Sequence, residues 1–113
     1  MTVDEIQERI YELVDKLNAH IPLWAKAKAD HNYVTDMKLV VLNLEKKKSD
    51  KKTGTARDED AYVSDDYKKY LWKAFEVDCD FYTKDGIKTI LEKELDAMRS
   101  LLSYEKYVNE ATK

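Results

Sequence analysis

Six cationic side chains, Lys46, Lys47, Lys48, Lys51, Lys52 and Arg57, fall within the twelve residues "KKKSDKKTGTAR", for a net charge of +5 once Asp50 is subtracted. Side chains of this type at this density do one kind of chemistry well: they replace the counterions condensed along a phosphate backbone. Tyr62 closes the stretch with a ring that can stack on an unpaired base. The same lysines also suit a plainer role. They end a helical pattern, where cations complement the helix dipole, and Asp58, Glu59, Asp60, Asp65 and Asp66 follow at the expected starts of the next helical turns. Two readings stand side by side, a local nucleic-acid contact or a solvated connection between helices.

The other reactive residue types are scattered. His20 and His31 are eleven residues apart, and neither belongs to a His-x-x-x-His or Glu-x-x-His pattern that would set two metal ligands on adjacent helical turns. Cys79 lies between Asp78 and Asp80, whose charges disfavour the thiolate that nucleophilic chemistry needs. Asp78, Asp80, Asp85, Glu92, Glu94 and Asp96 alternate with lysines, fit no calcium loop and read as solvated helix faces. With Gly54 and Gly86 the only glycines, no phosphate cradle of a nucleotide-hydrolysing enzyme can be built. No catalytic residue, metal or cofactor is therefore expected, and an enzyme is the last of the functional readings.

The elements that must position these residues are helices. A chain of 113 residues that is 43% apolar and 38% charged, with two glycines and one proline, predicts one domain of long, solvent-washed helices. A net charge of −3 provides no global basic field, so any nucleic-acid contact has to be local. One cysteine excludes an intramolecular disulfide and suits a reducing cytosol. The longest apolar run, Leu39 to Leu42, falls far short of the about 18 residues of a membrane span, and Asp4, Glu5, Glu8 and Arg9 stand where a secretory signal would be apolar. A cytoplasmic protein without membrane contact is expected, in the host cytoplasm if the chain is phage-encoded.

Thr2-Val3-Asp4-Glu5 reads as a capping box that starts a helix at Val3, with Ile6, Ile10, Leu13, Val14 and Leu17 forming its apolar stripe. Pro22 is expected to end or kink that segment. Ala27, Val34 and Val41 then repeat every seven residues, with Trp24, Met37 and Leu44 near the complementary seam, in a second helix reaching about Lys47. A charged connector at about 48–64 follows, with Thr55 capping a short turn and Ser64 capping the next helix. Beyond it Tyr67, Tyr70, Leu71, Ala74, Val77 and Phe81 form a stripe that resumes at Leu91, Leu95, Met98 and Leu102. Lys84 and Lys88 interrupt it beside Asp85-Gly86, predicting a bend or break near Thr83 to Gly86, or else an unbroken helix with two snorkelling lysines. Core packing is the expectation for Trp24, Trp72, Phe75 and Phe81. The predicted fold is all-α, with three to five helices packed as an elongated hairpin or bundle and more apolar surface than a slim hairpin covers, hence a homo-oligomer.

Two N-terminal helical segments, the basic middle "KKKSDKKTGTARDEDAYVS", the aromatic-rich "DDYKKYLWKAF" and a last helix with "DAMRSLLS" come in an order that resembles the UvsY-type phage recombination mediators. The resemblance covers most of the chain. It implies a non-enzymatic accessory protein of phage recombination or replication that forms ring oligomers, binds single-stranded DNA through its basic middle segment and contacts a recombinase and a single-strand-binding protein. The middle-segment match reaches Lys51, Lys52 and Arg57, with Lys46, Lys47 and Lys48 joined by proximity, and Arg99 matches a basic residue of the late helix. The alternative is a protein-interaction module, such as a phage-encoded inhibitor or adaptor, that uses acidic helix starts and exposed aromatics on a basic partner. A small virion component is a third reading.

Overall fold

The computed structural model describes residues 1–112. They form three helices, α1 (Val3–Lys48), α2 (Gly54–Val63) and α3 (Asp65–Ala111), with no strand among the described residues. Thr2 caps α1 as the sequence predicts: the Glu5 amide donates to the Thr2 hydroxyl at 3.2 Å, and that hydroxyl donates to the Glu5 carboxylate, in place of the reciprocal bond to the Thr2 amide that completes a capping box. Pro22 neither ends nor divides the helix, which runs on to Lys48. A helix-interior proline costs about 3 kcal/mol, and the anchoring of residues on both sides, Leu13 before it and Ala27 after it, outweighs that cost.

The chain divides into two compact units. In the first, Met1–Ala25 packs antiparallel to the part of α3 from Thr83 onward. Ile6 and Leu13 are fully buried there, with Leu95 contributed by α3. Burying one such side chain stabilises a fold by about 1.5–3 kcal/mol. Arg9 spans the two helices to Glu94 at 2.9 Å while also holding Glu12, and these carboxylates raise its pKa, with the Glu12 hydrogen bond the largest cause.

The same unit explains why α3 is unbroken at Thr83 to Gly86, the second of the two outcomes expected there. His20 Nε2 donates to the Lys84 carbonyl at 2.7 Å, and Trp24 Nε1 donates to Asp85 at 2.8 Å, so α1 clamps the turn that contains Gly86. Lys88 lies over the Trp24 ring at 4.6 Å and pairs with Glu92. Lys88 thus meets a ring of the seam and a carboxylate one turn on, and α3 continues through it.

The second unit, Lys26–Tyr82, holds the rest of α1, all of α2 and the first part of α3. Ala27 and Val34 are buried as the seven-residue repeat requires, but the next buried position is Leu42, with Val41 only half-buried. A helix turns once per 3.6 residues, not 3.5, so after two repeats the inward direction has drifted by about 40° and falls between Val41 and Leu42. Leu44, predicted near the seam, is 52% exposed. Leu42, Ala61 and Tyr67 form a small core to which each of the three helices contributes one residue. Tyr70 donates its hydroxyl to the Val34 carbonyl, and burial raises its pKa. His31 bridges to Asp78 at 2.6 Å and stacks on Phe81, which keeps Phe81 on the inner face as expected.

Candidate nucleic-acid interface

The basic stretch begins on the last turn of α1, crosses the loop between α1 and α2 and ends inside α2. Local chemistry fixes this path. Thr53, rather than Thr55, caps α2 by accepting from the Ala56 amide at 3.2 Å, and Ser64 caps α3 by accepting from the Tyr67 amide at 3.1 Å. Thr53 stands before the glycine, so its extended backbone leaves Gly54 free to begin the helix. Ser49 hydroxyl donates to Asp60 at 2.6 Å and ties the loop to α2.

Within this frame the six cations separate into two groups. Lys46 pairs with Asp58 at 3.0 Å. Lys48 pairs with Glu45 at 2.8 Å and Asp66 at 3.1 Å, bonds that raise its pKa, Glu45 foremost. Glu45 is itself buried, so Lys48 neutralises a carboxylate that has little access to water. Arg57 Nε donates to the Lys51 carbonyl at 2.7 Å and closes the loop on itself. These three cations hold the connector together. Lys47, Lys51 and Lys52 are exposed, and among the described residues their ammonium groups have no ion-pair partner. Tyr62 is 54% exposed, with its ring edge-on to Tyr67 at 5.8 Å.

The acidic residues that follow the basic stretch therefore do more than suit helix starts. Asp58, Asp60 and Asp66 each bond back to the end of α1 or to the loop after it. Sequence spacing supplies no signal for this division, because alternating charges along a chain do not reveal which of them meet across a turn.

Two residues expected in the core lie outside it. Trp72 is 69% exposed and Phe75 58% exposed, and the two rings contact each other edge-to-face at 6.1 Å. The inward positions of α3 are Tyr67, Tyr70, Ala74 and Val77, which leaves Trp72 and Phe75 on the solvent side together with Leu71. Lys68, Lys69 and Lys73 surround them, all exposed. The signal for this second patch was present in "KKYLWKAF", where cations and rings interleave. It is masked by the general tendency of large rings to be buried.

Cys79 is exposed, and the two histidines are each engaged with a neighbouring helix. No helix among the described residues is long and apolar enough to cross a membrane. Comparison with protein-family models, with curated proteins and with solved structures finds nothing that matches the chain.

Proposed function

We propose that this chain is a self-associating helical accessory protein that binds single-stranded DNA, the activity implied by its resemblance to phage recombination mediators. The observation that carries the reading is the exposed set Lys47, Lys51 and Lys52, three cations whose charged groups have no ion pair or hydrogen bond among the described residues, where the other three hold the connector together. Free ammonium groups on a helix end and an adjoining loop follow an irregular backbone at low cost, because no internal ion pair has to break first. Tyr62 beside them adds a ring for stacking. The reading predicts that labelled oligo(dT) binds at low salt and that its affinity falls linearly with salt on logarithmic axes. Absence of binding at low salt would refute it.

Self-association is supported by a different feature. Tyr33, Met37, Val40 and Leu44 recur on α1 at alternating four- and three-residue steps, the spacing of a helix-pairing seam, and all but the half-buried Met37 are exposed. Light scattering should give a mass of several 13.3 kDa subunits at micromolar concentration. The exposed seam equally favours the second reading, a protein-interaction module that binds no nucleic acid. Failure of the DNA titration with a partner-dependent shift in mass is the result that selects it.

A further inference from the structure

Lys68, Lys69 and Lys73 are exposed on α3 around the exposed Trp72 and Phe75, and from Tyr67 to Phe75 there is no carboxylate. Asp65 and Glu76 bracket the patch, and Asp66 is held by Lys48. Lys68, Trp72 and Phe75 follow one another at four- and three-residue steps and lie along one face of the helix, with Lys69 beside Trp72 and Lys73 on the opposite flank, in a groove it shares with Asp30. Two classes of ligand suit rings mixed with cations. The centres of protein-protein contacts are depleted in lysine, whereas interleaved rings and lysines are the arrangement that stacks bases and tracks phosphates. Lys68, Leu71, Trp72 and Phe75 line an open groove that leaves ring surface accessible to a flat base.

We propose that the face of α3 from Lys68 to Phe75 is a stacking platform for single-stranded nucleic acid, in which Trp72 and Phe75 take bases and Lys68 and Lys69 take phosphates. The inference rests on the DNA-binding reading above and adds to it a site on a different element from the connector. The two sites belong to one path. Lys48 bonds to Asp66 in the first turn of α3, and Trp72 lies six residues further on, about 9 Å along the helix axis. A strand held by the connector lysines reaches Trp72 within the about 4–16 nucleotides of a typical single-strand site.

Trp72 supplies its own reporter. The chain has two tryptophans, so Trp24→Phe leaves Trp72 as the sole emitter, with circular dichroism to check the helices. Titration with oligo(dT) should quench that emission saturably. In the otherwise unaltered protein, Trp72→Ala should weaken oligo(dT) binding by about 5- to 150-fold with almost no change in salt slope. Unchanged emission together with wild-type affinity of Trp72→Ala, while substitution of Lys47, Lys51 and Lys52 still weakens binding, overturns the platform and leaves the connector reading intact. Absence of oligo(dT) binding by the wild type overturns both. Equal quenching by polyglutamate also overturns the proposal, because it assigns the face to an acidic polypeptide instead.

Discussion

Replacing Lys47, Lys51 and Lys52 together by alanine removes the three connector cations whose charged groups have neither an ion pair nor a hydrogen bond among the described residues, and leaves the three that hold the connector in place. Each phosphate neutralised on a single strand contributes about 0.7 to the slope of log affinity against log salt, so the triple variant should be flatter by about 2 units. Between about 50 and 200 mM salt the wild type should then lose about 20-fold more affinity than the variant. Thermal stability should be almost unaffected, since exposed charges without partners contribute little to it. The companion variant, Lys46→Ala with Lys48→Ala, should behave in the opposite way. It leaves the buried Glu45 without its cation and frees Asp58 and Asp66 from the end of α1, so its melting temperature should fall. Its salt slope should change less, because a lysine already paired with carboxylates must give them up before it meets a phosphate. Fluorescence anisotropy with labelled oligo(dT) across a salt series, beside thermal circular dichroism, reads both quantities. Equal flattening by the two variants, or none by the triple variant, refutes the division of the basic stretch into structural and free cations.

Three further outcomes test the packing. Leu13→Ala, at a position 1% exposed, should cost about 2–5 kcal/mol in urea denaturation, whereas Leu39→Ala, at 69% exposed, should lie within about 0.5 kcal/mol of wild type. Gly86→Ala should stabilise the protein by about 0.5–1 kcal/mol, because Gly86 is inside a continuous helix and an added Cβ meets no atom within 4 Å; a loss in denaturation midpoint would show that the turn is not helical. In an ultraviolet titration of the tyrosinate band, Tyr70 should ionise above the ordinary phenol value of 10.0, and Tyr70→Phe should remove that late step. Burial favours its neutral form, so its contribution to stability is fully present below the ordinary phenol value of 10.0 and is lost as pH rises through the higher folded value.

The helical class, the cap at Thr2, the cap at Ser64 and the all-but-complete stripe from Tyr67 to Leu102 were legible in the sequence, because each depends on residues within a turn or two of one another. The interruptions were not. Pro22 and Gly86 are breakers by local propensity, but α1 and α3 run through them because contacts from elsewhere, His20 to the Lys84 carbonyl and Trp24 to Asp85 among them, outweigh a local cost of about 1–3 kcal/mol.

By itself the sequence determined that six cations and a tyrosine gather in one connector between long helices, since composition and periodicity are properties of the chain alone. Only the tertiary structure decided which of those cations are free. Lys46 and Lys48 meet Asp58, Glu45 and Asp66, Arg57 turns back to the loop, and Lys47, Lys51 and Lys52 remain in solvent. It likewise put Trp72 and Phe75 outside, because Tyr67, Tyr70, Ala74 and Val77 fill the inner face of α3 and no room is left on it for two more rings. Burial and ion pairing depend on what lies across the fold, and the distance along the chain does not specify that.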